Sequence, residues 1–392
     1  MRFDEAYFDA GIDRRGTDCE KWDDASVMRP GGIPLWVADM DFPCAPTIEA
    51  AVRARAGHPC FGYNNEEAEN RCTRALCDFW LRRHGLAIRP EQAVTLPCVI
   101  TGLKTCVRLF TREGDSVAMF TPVYGPFYQA VELNGRKVAA VSLEADENGA
   151  YPMNLRGMEA ALRAGAKLIM LCNPHNPVSR LWTKEELTAL VDLAGRYDAK
   201  IVSDEIHADF AFAPGVFTPI LSISGAAERT VMLCAASKTF NVAGLQQAAA
   251  VTFSDEIRAG IRTALNAAGV TSGNTFALAA TEAAYREGDD WLDGLLRYLD
   301  GNRAALREYV AVHLPKARLA PMEATYLAWL DLRMYGFSCA ELQKKCYERG
   351  VAFTGGTFFG PEGEGFLRVN FGCPRNQLLS GMERLCAALK EE

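Results

Sequence analysis

The stretch TVMLCAASKTFNVAG at residues 230–244 joins an apolar run to a lysine. The run Thr230–Cys234 has the length and composition of a buried β-strand, and Lys238 follows shortly after its end. A lysine that follows a strand is most often a solvated charge on a loop. Beside an apolar core, its amine is partly desolvated, loses its proton more easily and can condense with a carbonyl group. The stretch is compatible with both interpretations, so the partners offered by the rest of the chain have to distinguish them.

Strand-like and helix-like segments alternate around this stretch, from Thr101 to about Gly269. Two further strands are predicted at Lys167–Cys172 and Lys200–Ser203, with a helix at Thr183–Tyr197 between them. Alternation of this kind predicts an α/β fold in which a mainly parallel sheet is covered by helices on both faces.

The pattern changes towards the C-terminus, where helices and strands no longer alternate regularly. This change predicts a second, smaller α+β domain, which the N-terminal segment joins. We expect a large domain at residues 46–289 and a small domain formed by residues 1–45 and 290–392.

Composition excludes several classes of protein. The 392 residues include 42 Lys and Arg against 49 Asp and Glu, a formal net charge of −7 without a basic block, so we expect no nucleic-acid partner and no membrane partner. No apolar run approaches the roughly 20 residues that span a bilayer. The beginning, Met1-Arg2-Phe3, lacks the apolar core of a signal peptide.

The 13 cysteines are scattered and include no Cys-x-x-Cys pair. This spacing predicts neither a disulfide framework nor a zinc site, and we expect no bound metal. Cys106, Cys172 and Cys234 lie in apolar runs, which is typical of small core residues. A reduced, cytoplasmic protein fits this pattern best.

Polar clusters follow three of the predicted strands. They are NPHNP at residues 173–177, DEIH at 204–207 and SK at 237–238. Because ligands of open α/β sheets bind beyond the carboxyl ends of the strands, these clusters are candidates for one site. Each could be ordinary loop polarity, but three clusters at consecutive strand ends, one with the lysine, favour a functional site.

Four further features suggest what such a site could bind. Asp204 at a buried strand end is costly as a charge unless it meets a cation, such as a protonated pyridine nitrogen. The segment PCVITG at 97–102 precedes a helix whose backbone N–H groups could hold a phosphate. Tyr124 could stack on a flat ring or simply pack in the core. Arg368, inside an apolar strand, could be paired structurally or could bind a substrate carboxylate.

The motifs NPHNP, SDEIH, SKTFNxAG and GFLRVNF, in this order, resemble the fold-type I pyridoxal-phosphate (PLP) enzymes. The segments DRRGT at 13–17, KWD at 21–23 and WVADMDF at 36–42 are similar to the cystathionine β-lyase-type C–S lyase branch of the class I/II aminotransferases in particular. The resemblance spans nearly the whole chain. It implies a mixed, mainly parallel seven-stranded sheet sandwiched by helices, with PLP as the cofactor.

The resemblance implies roles for five residues around the PLP ring. Lys238 would bond covalently to the cofactor and act in catalysis, and Asp204 would pair with the pyridine nitrogen. Asn176 would bond the ring's O3′, with His207 close by. Tyr124 would stack on the ring and is the second catalytic candidate.

It also implies a phosphate site, a substrate site and a homodimer. The N–H groups of Val99 and Ile100, with Ser237, would hold the phosphate. Tyr63 would reach the phosphate of the neighbouring subunit, which places the active site at the subunit interface. Arg368 would bind the carboxylate of the amino-acid substrate.

The activity implied is a β-lyase that cleaves L-cystathionine or related cysteine S-conjugates by α,β-elimination to a thiol, pyruvate and ammonia. An aminotransferase is the first alternative, because one fold and one cofactor serve both reactions. A regulatory protein that binds PLP and acts through protein contacts is the second. The sequence departs from the pattern of the branch in three places: Cys98 replaces a usual glycine, Val178-Ser179 replaces a usual Thr-Gly, and residues 354–360 resemble the substrate-side loop only loosely.

Overall fold

The computed structural model describes residues 3–25 and 29–390. Residues 1, 2, 26–28, 391 and 392, which belong to the predicted small domain, lie outside the described residues. Within the described ranges, no helix combines the length and the apolar character needed to cross a membrane.

The strands fall into two separate sheets. The strands of the larger sheet are β2 (Ala93–Leu96), β3 (Ser116–Thr121), β4 (Lys137–Ser142), β5 (Leu168–Cys172), β6 (Lys200–Asp204), β7 (Thr230–Cys234) and β8 (Ala248–Val251). The strands of the smaller sheet are β1 (Ile33–Leu35), β9 (Arg318–Leu319), β10 (Leu327–Asp331), β11 (Val351–Gly355) and β12 (Phe366–Asn370).

The helices of the first half of the chain are α1 (Glu5–Asp9), α2 (Glu20–Asp23), α3 (Pro46–Ala56), α4 (Glu66–His84), α5 (Val99–Phe110), α6 (Pro126–Glu132), α7 (Leu155–Arg163) and α8 (Lys184–Arg196). Those of the second half are α9 (Ala236–Thr239), α10 (Asp255–Ala267), α11 (Thr275–Glu287), α12 (Asp289–His313), α13 (Cys339–Glu348) and α14 (Arg375–Leu389).

The larger sheet has the order β2-β8-β7-β6-β5-β3-β4 and is mixed. The strands from β4 to β7 are parallel, and only β8 runs antiparallel to both its neighbours. This confirms the prediction of a mainly parallel, seven-stranded sheet. Cys172 pairs with Asp204, and Asp204 pairs with Leu233, so the carboxyl ends of β5, β6 and β7 lie side by side.

Both faces of this sheet are covered, as parallel strands require. All five residues of β5 are buried. Leu168 and Met170 pack into one apolar core, whereas Ile169 and Leu171 pack into the core on the opposite face. The alternation follows from the period of two in a strand, and it explains why β5 is a continuous apolar run rather than an alternating one.

The smaller sheet has the order β1-β11-β12-β10-β9. Its β1 comes from the N-terminal segment and pairs in parallel with β11, Ile33 opposite Val351. The N-terminal segment thus contributes a strand to the smaller sheet, while the division into a large domain at residues 46–289 and a small domain at residues 1–45 and 290–392 stays a prediction.

Seven elements of the structure are absent from the sequence-based prediction: α1, α2, α9, α11, β2, β9 and β11. Of these, β2 has only four residues and is an edge strand, so its sequence carries little periodic signal. α11 has the alanine-rich sequence TFALAATEAAYRE, which packs small residues closely against α3 and α4 without a wide apolar stripe. The start of α5 also differs, because the helix begins at Val99 rather than at the predicted Thr101.

Candidate active site

A cavity of about 170 Å³ lies beyond the carboxyl ends of β5, β6 and β7. Its lining includes eight of the residues singled out in the sequence: Val99, Ile100, Tyr124, Asn176, Asp204, His207, Ser237 and Lys238. The three polar clusters that follow these strands therefore meet in one place, as predicted. The other two candidates, Arg368 and Tyr63, lie outside the lining, but Arg368 donates a hydrogen bond to Asn176, which is part of it.

Lys238 enters the cavity from α9, the short helix that follows β7. Its Nζ donates a hydrogen bond of 2.5 Å to the carbonyl of Ala38. Burial lowers the pKa of Lys238 to about 8, although the nearby Asp39 carboxylate acts in the opposite direction. At pH 7 roughly a tenth of this amine is therefore unprotonated, a far larger share than for a lysine in water, and its desolvation argues against a solvated loop lysine.

Asp204 ends β6 and is buried beside the cavity. Burial raises its pKa to about 7, while the backbone N–H of Ile206, which donates to Oδ1 at 3.1 Å, and the charge of Lys238 act in the opposite direction. A cation placed against this carboxylate would stabilise the ionised form. The position is suited to a protonated ring nitrogen.

Arg368 lies in the middle of β12 with only 3 % of its surface exposed. Its guanidinium donates to Asn176 Oδ1 at 3.2 Å and to the Trp36 carbonyl at 2.8 Å. Burial lowers its pKa to about 10. Among the described residues, no carboxylate forms an ion pair with Arg368, and its Nε has no hydrogen-bond partner. An anionic group from a ligand would supply the missing charge.

His207 and Tyr124 complete the walls of the cavity. Burial lowers the pKa of His207 to about 3, so the imidazole is neutral near neutral pH. Its Nδ1 is buried, and no described residue bonds to it. Burial also raises the pKa of Tyr124, whose ring centroid lies 5.9 Å from that of Phe358.

Pro97 and Cys98, followed by Val99 and Ile100 at the start of α5, line another part of the cavity. No side chain caps this helix, so its first N–H groups are available to an anion. Cys98, at the position where glycine was expected, adopts extended backbone (φ −160°, ψ 163°) that any residue tolerates. The substitution therefore does not disturb the start of the helix.

Ser179 belongs to the second departure, and it has left-handed backbone with φ 60°. Its hydroxyl donates to the carbonyl of Ala324, a contact that glycine could not make. A buried hydrogen bond thus helps to hold a serine in a conformation that favours glycine.

The strap, defined here as residues 36–42, forms the part of the site that residue roles from the sequence did not include. The Ala38 carbonyl accepts from Lys238 and also from the Tyr326 hydroxyl at 2.9 Å. Asn370 donates to the Asp39 carbonyl at 2.7 Å, and Asn241 donates to the Met40 carbonyl at 2.8 Å. These contacts join positions hundreds of residues apart, so only the motif WVADMDF itself signalled that the segment matters.

A buried charge cluster anchors the strap. Lys21, whose side chain is fully buried, lies 2.9 Å from a carboxylate oxygen of Asp41. Arg14 binds both carboxylate oxygens of Asp39, at 2.6 and 2.8 Å, and also contacts Asp41 at 3.1 Å. Trp22 Nε1 donates to Asp41 at 2.9 Å. Residues of the DRRGT and KWD segments therefore bind the two aspartates of the strap.

A mixed seven-stranded sheet carries a lysine and a buried aspartate at its strand ends, and an arginine of β12 in the smaller sheet lies nearby without an ion-pair partner in the described part of the chain. This arrangement is typical of a class of cofactor-dependent α/β enzymes. The chain matches the family "Aminotransferase class I and II" over residues 32–385 and belongs to that family.

Individual relatives cover almost the whole chain. The chain is 39 % identical to "Cystathionine beta-lyase PatB" of Bacillus subtilis, over 97 % of this chain and 99 % of that protein. Among solved structures, a PLP-bound putative aminotransferase from Clostridium difficile has a TM-score of 0.94 at 34 % identity, covering 98 % and 99 % of the two chains. A PLP-bound C–S lyase from Staphylococcus hominis has a TM-score of 0.90 at 29 % identity, covering 98 % of each chain.

The residues around the cavity fit PLP. The buried carboxylate of Asp204 offers a counter-charge for a pyridinium nitrogen, and the amine of Lys238 can condense with the aldehyde. The uncapped start of α5 offers N–H donors for the phosphate. The buried Nδ1 of His207, which lacks a described partner, is a further polar atom that a ligand could satisfy.

Proposed function

We propose that the protein is a PLP-dependent C–S β-lyase that cleaves L-cystathionine or related cysteine S-conjugates to a thiol, pyruvate and ammonia. The observation that carries the proposal is that Lys238 and Asp204 line one cavity while Arg368, without an ion-pair partner among the described residues, donates a hydrogen bond to the lining residue Asn176. The chain also matches a cystathionine β-lyase over 97 % of its own length and 99 % of that protein. Elimination with one water converts the substrate into these three products, so atoms balance without an oxidant or reductant.

Bound PLP supplies an electron sink for the pair left when the substrate loses its Cα proton. Arg368 binds the substrate carboxylate and so fixes how the amino acid lies in the cavity. With PLP bound, the Lys238 amine would be the group that takes the Cα proton of the substrate, and the desolvation that lowers its pKa suits it to act as a base. Asp204 keeps its negative charge beside the ring nitrogen and so keeps that nitrogen protonated.

The remaining assigned residues position the cofactor. Asn176 is held by Arg368 and binds the ring's O3′, with the neutral His207 beside it. Burial raises the pKa of Tyr124, so its hydroxyl keeps its proton near neutral pH. The Tyr124 ring packs on the cofactor ring. The N–H groups of Val99 and Ile100, with Ser237, bind the phosphate.

The functional unit in this proposal is a homodimer in the cytoplasm. Tyr63 is fully exposed on the single chain, as expected of a side chain that contacts the phosphate in a partner subunit. All thirteen cysteines are free thiols, which is typical of a reducing compartment.

The test is a substrate panel assayed for pyruvate and for thiol with PLP present, including L-cystathionine and smaller cysteine S-conjugates. We expect both products in equal amounts, with Lys238→Ala as the inactive control. Faster amino-group transfer to a 2-oxo acid under the same conditions would make the protein an aminotransferase. A PLP-bound protein without either activity would support the regulatory alternative.

A further inference from the structure

Three buried polar side chains outside the cavity form a hydrogen-bonded chain that ends beside Lys238. His84 Nε2 lies 2.9 Å from Asp209 Oδ1, and the Thr239 hydroxyl donates to Asp209 Oδ2 at 2.6 Å. The side chains of His84 and Asp209 are each 7 % exposed, and Thr239 is 1 % exposed. Hydrogen bonds at this depth are strong and directional because water does not compete for them.

The central carboxylate joins two segments that contact the cofactor site. Asp209 lies in the segment that follows Asp204, the last residue of β6, and that also carries His207. Thr239 is the last residue of α9 and follows Lys238 directly. The Asp209–Thr239 hydrogen bond therefore joins the segment that follows the proposed ring-nitrogen partner to the helix that carries the lysine.

The position of helix α9 depends on tertiary contacts of this kind. It has only four residues, and no side chain caps its start. A helix of this length is not stable on its own, so tertiary contacts set its position. The contact from Thr239 fixes its last residue.

Aromatic side chains pack against His84, which is the outer end of the hydrogen-bonded chain, away from Lys238. The His84 ring lies 4.6 Å from the Trp80 ring and 5.3 Å from the Phe217 ring, measured between centroids. Because a carboxylate oxygen only accepts, His84 Nε2 donates to Asp209. With one oxygen bound to His84 and the other to Thr239, the Asp209 carboxylate cannot rotate without losing a hydrogen bond.

We propose that Asp209, oriented by His84, is a positioning residue for Lys238 and acts through the Thr239 hydroxyl. The inference rests on the proposed role of Lys238. The His84–Asp209–Thr239 chain sets the distance between the Lys238 nitrogen and the Asp204 carboxylate, and so the geometry in which the amine reaches the Cα proton. None of its three members lines the cavity.

The test removes the hydroxyl at nearly constant shape with Thr239→Val. We expect about a tenfold loss in kcat, the size of effect that a small misplacement of a reacting group produces. KM should change little because Arg368, which binds the substrate carboxylate in the proposed function, is not part of the His84–Asp209–Thr239 hydrogen-bonded chain. The pH midpoint of the visible absorbance of bound PLP should also move away from the wild-type value, since that absorbance reports on the lysine nitrogen.

Two variants serve as controls. Thr239→Ser keeps the hydroxyl and should restore both kcat and the pH midpoint. Thr230→Val removes another buried hydroxyl, at the opposite end of β7, that has no hydrogen-bond partner in the described part of the chain. It should leave both quantities at the wild-type value.

Wild-type kcat and a wild-type pH midpoint in Thr239→Val would overturn the proposal, even if its melting temperature were lower. Should that variant fail to fold, His84→Leu decides, because it removes the donor at the outer end; an unchanged midpoint there would also overturn it. The absorbance midpoint needs no substrate. If no cysteine S-conjugate is cleaved, the lyase function fails while the midpoint still tests the positioning role.

Discussion

Burial shifts the pKa values of the cavity residues in directions that depend on the charge of each group. It lowers the pKa of Lys238 to about 8 and raises the pKa of Asp204 to about 7. The lysine shift frees a nucleophilic amine, whereas the aspartate shift is a cost that a bound cation relieves. Binding of a cationic cofactor ring would therefore lower the pKa of Asp204 and favour its ionised form.

Lys238→Ala tests the residue on which the proposed chemistry depends. We expect turnover to fall by about 10³-fold or more, because one amine both holds the cofactor and moves the proton. Reduction with borohydride followed by denaturation should leave PLP on the wild-type chain and none on the variant. Lys137→Ala, an exposed lysine on β4, is the matched control. A variant that keeps wild-type turnover would contradict the assignment.

Asp204→Asn tests the pKa shift through the stability of the cofactor-free protein. Because the folded pKa of about 7 lies above the ordinary value of 3.8, the contribution of Asp204 is most favourable below pH 3.8 and is lost as the pH rises through 7. Relative to the variant, the wild type should lose up to about 1.4 kcal/mol of unfolding free energy per pH unit across that window.

Chemical denaturation of both proteins at several pH values measures this difference. Glu205, whose pKa burial raises to about 8, titrates in both proteins, so most of its effect cancels in the comparison. A difference in unfolding free energy that stays constant with pH would show that Asp204 does not titrate as expected.

Among the elements, the strap of residues 36–42 links the small sheet, the N-terminal helix α2 and the lysine. Its contacts with Asn241 and Asn370 replace the regular hydrogen bonding that the segment lacks. The strap also presents the Ala38 carbonyl to Lys238, so its anchoring bears on both stability and activity.

Lys21→Met tests that anchoring. The substitution removes the ammonium group of the buried ion pair between Lys21 and Asp41. We expect a loss of about 3–5 kcal/mol in unfolding free energy, measured by chemical denaturation. Lys344→Met is the matched control, because Lys344 lies on the exposed face of α13 and should change stability by less than about 0.5 kcal/mol. Equal effects of the two substitutions would mean that the buried pair is not important for stability.

Local sequence patterns predict the elements and the strand ends, but not the strap. β5 and β7 are largely apolar runs, β6 has an apolar centre at Ile201 and Val202, and each of the three strands leads into a polar cluster. The rule for parallel sheets places those clusters together. Thr183 and Glu186 likewise form a capping box at the start of α8, a pattern that lies within four consecutive residues. The bonds of Asn241 to Met40 and of Asn370 to Asp39 depend on how distant segments pack, which no local periodicity encodes. The short β2 and the alanine-rich α11 escape prediction for a related reason, since their identity depends on their neighbours.

For the whole molecule, the proposed homodimer places Tyr63 of one subunit at the phosphate of the other. Such a site can be restored by combining two defective chains. In a mixed dimer of Lys238→Ala and Tyr63→Ala, one site has both changes and the other has neither.

Co-expression of these two variants at limiting PLP should therefore restore lyase activity to about one quarter of the wild-type level if the chains pair at random. Pyruvate release by the purified mixture measures the recovery. The matched control pairs Lys238→Ala with Asp204→Asn, two changes within one subunit's site, and should give no recovery. Absence of recovery in the first mixture would mean that Tyr63 does not serve the partner's site.

The pairing of β1 with β11 also bears on how the protein is made. Ile33 and its partner Val351 lie far apart in the sequence, so Ile33 is synthesised well before its partner. The strap between β1 and α3 therefore cannot take its final place until β11 has emerged from the ribosome. A nascent chain that ends within α12 already contains Lys238, Asp204 and Asn176, but it lacks Arg368 and the strand that orders the strap. The enzyme thus becomes competent only after β11 and β12 have been synthesised.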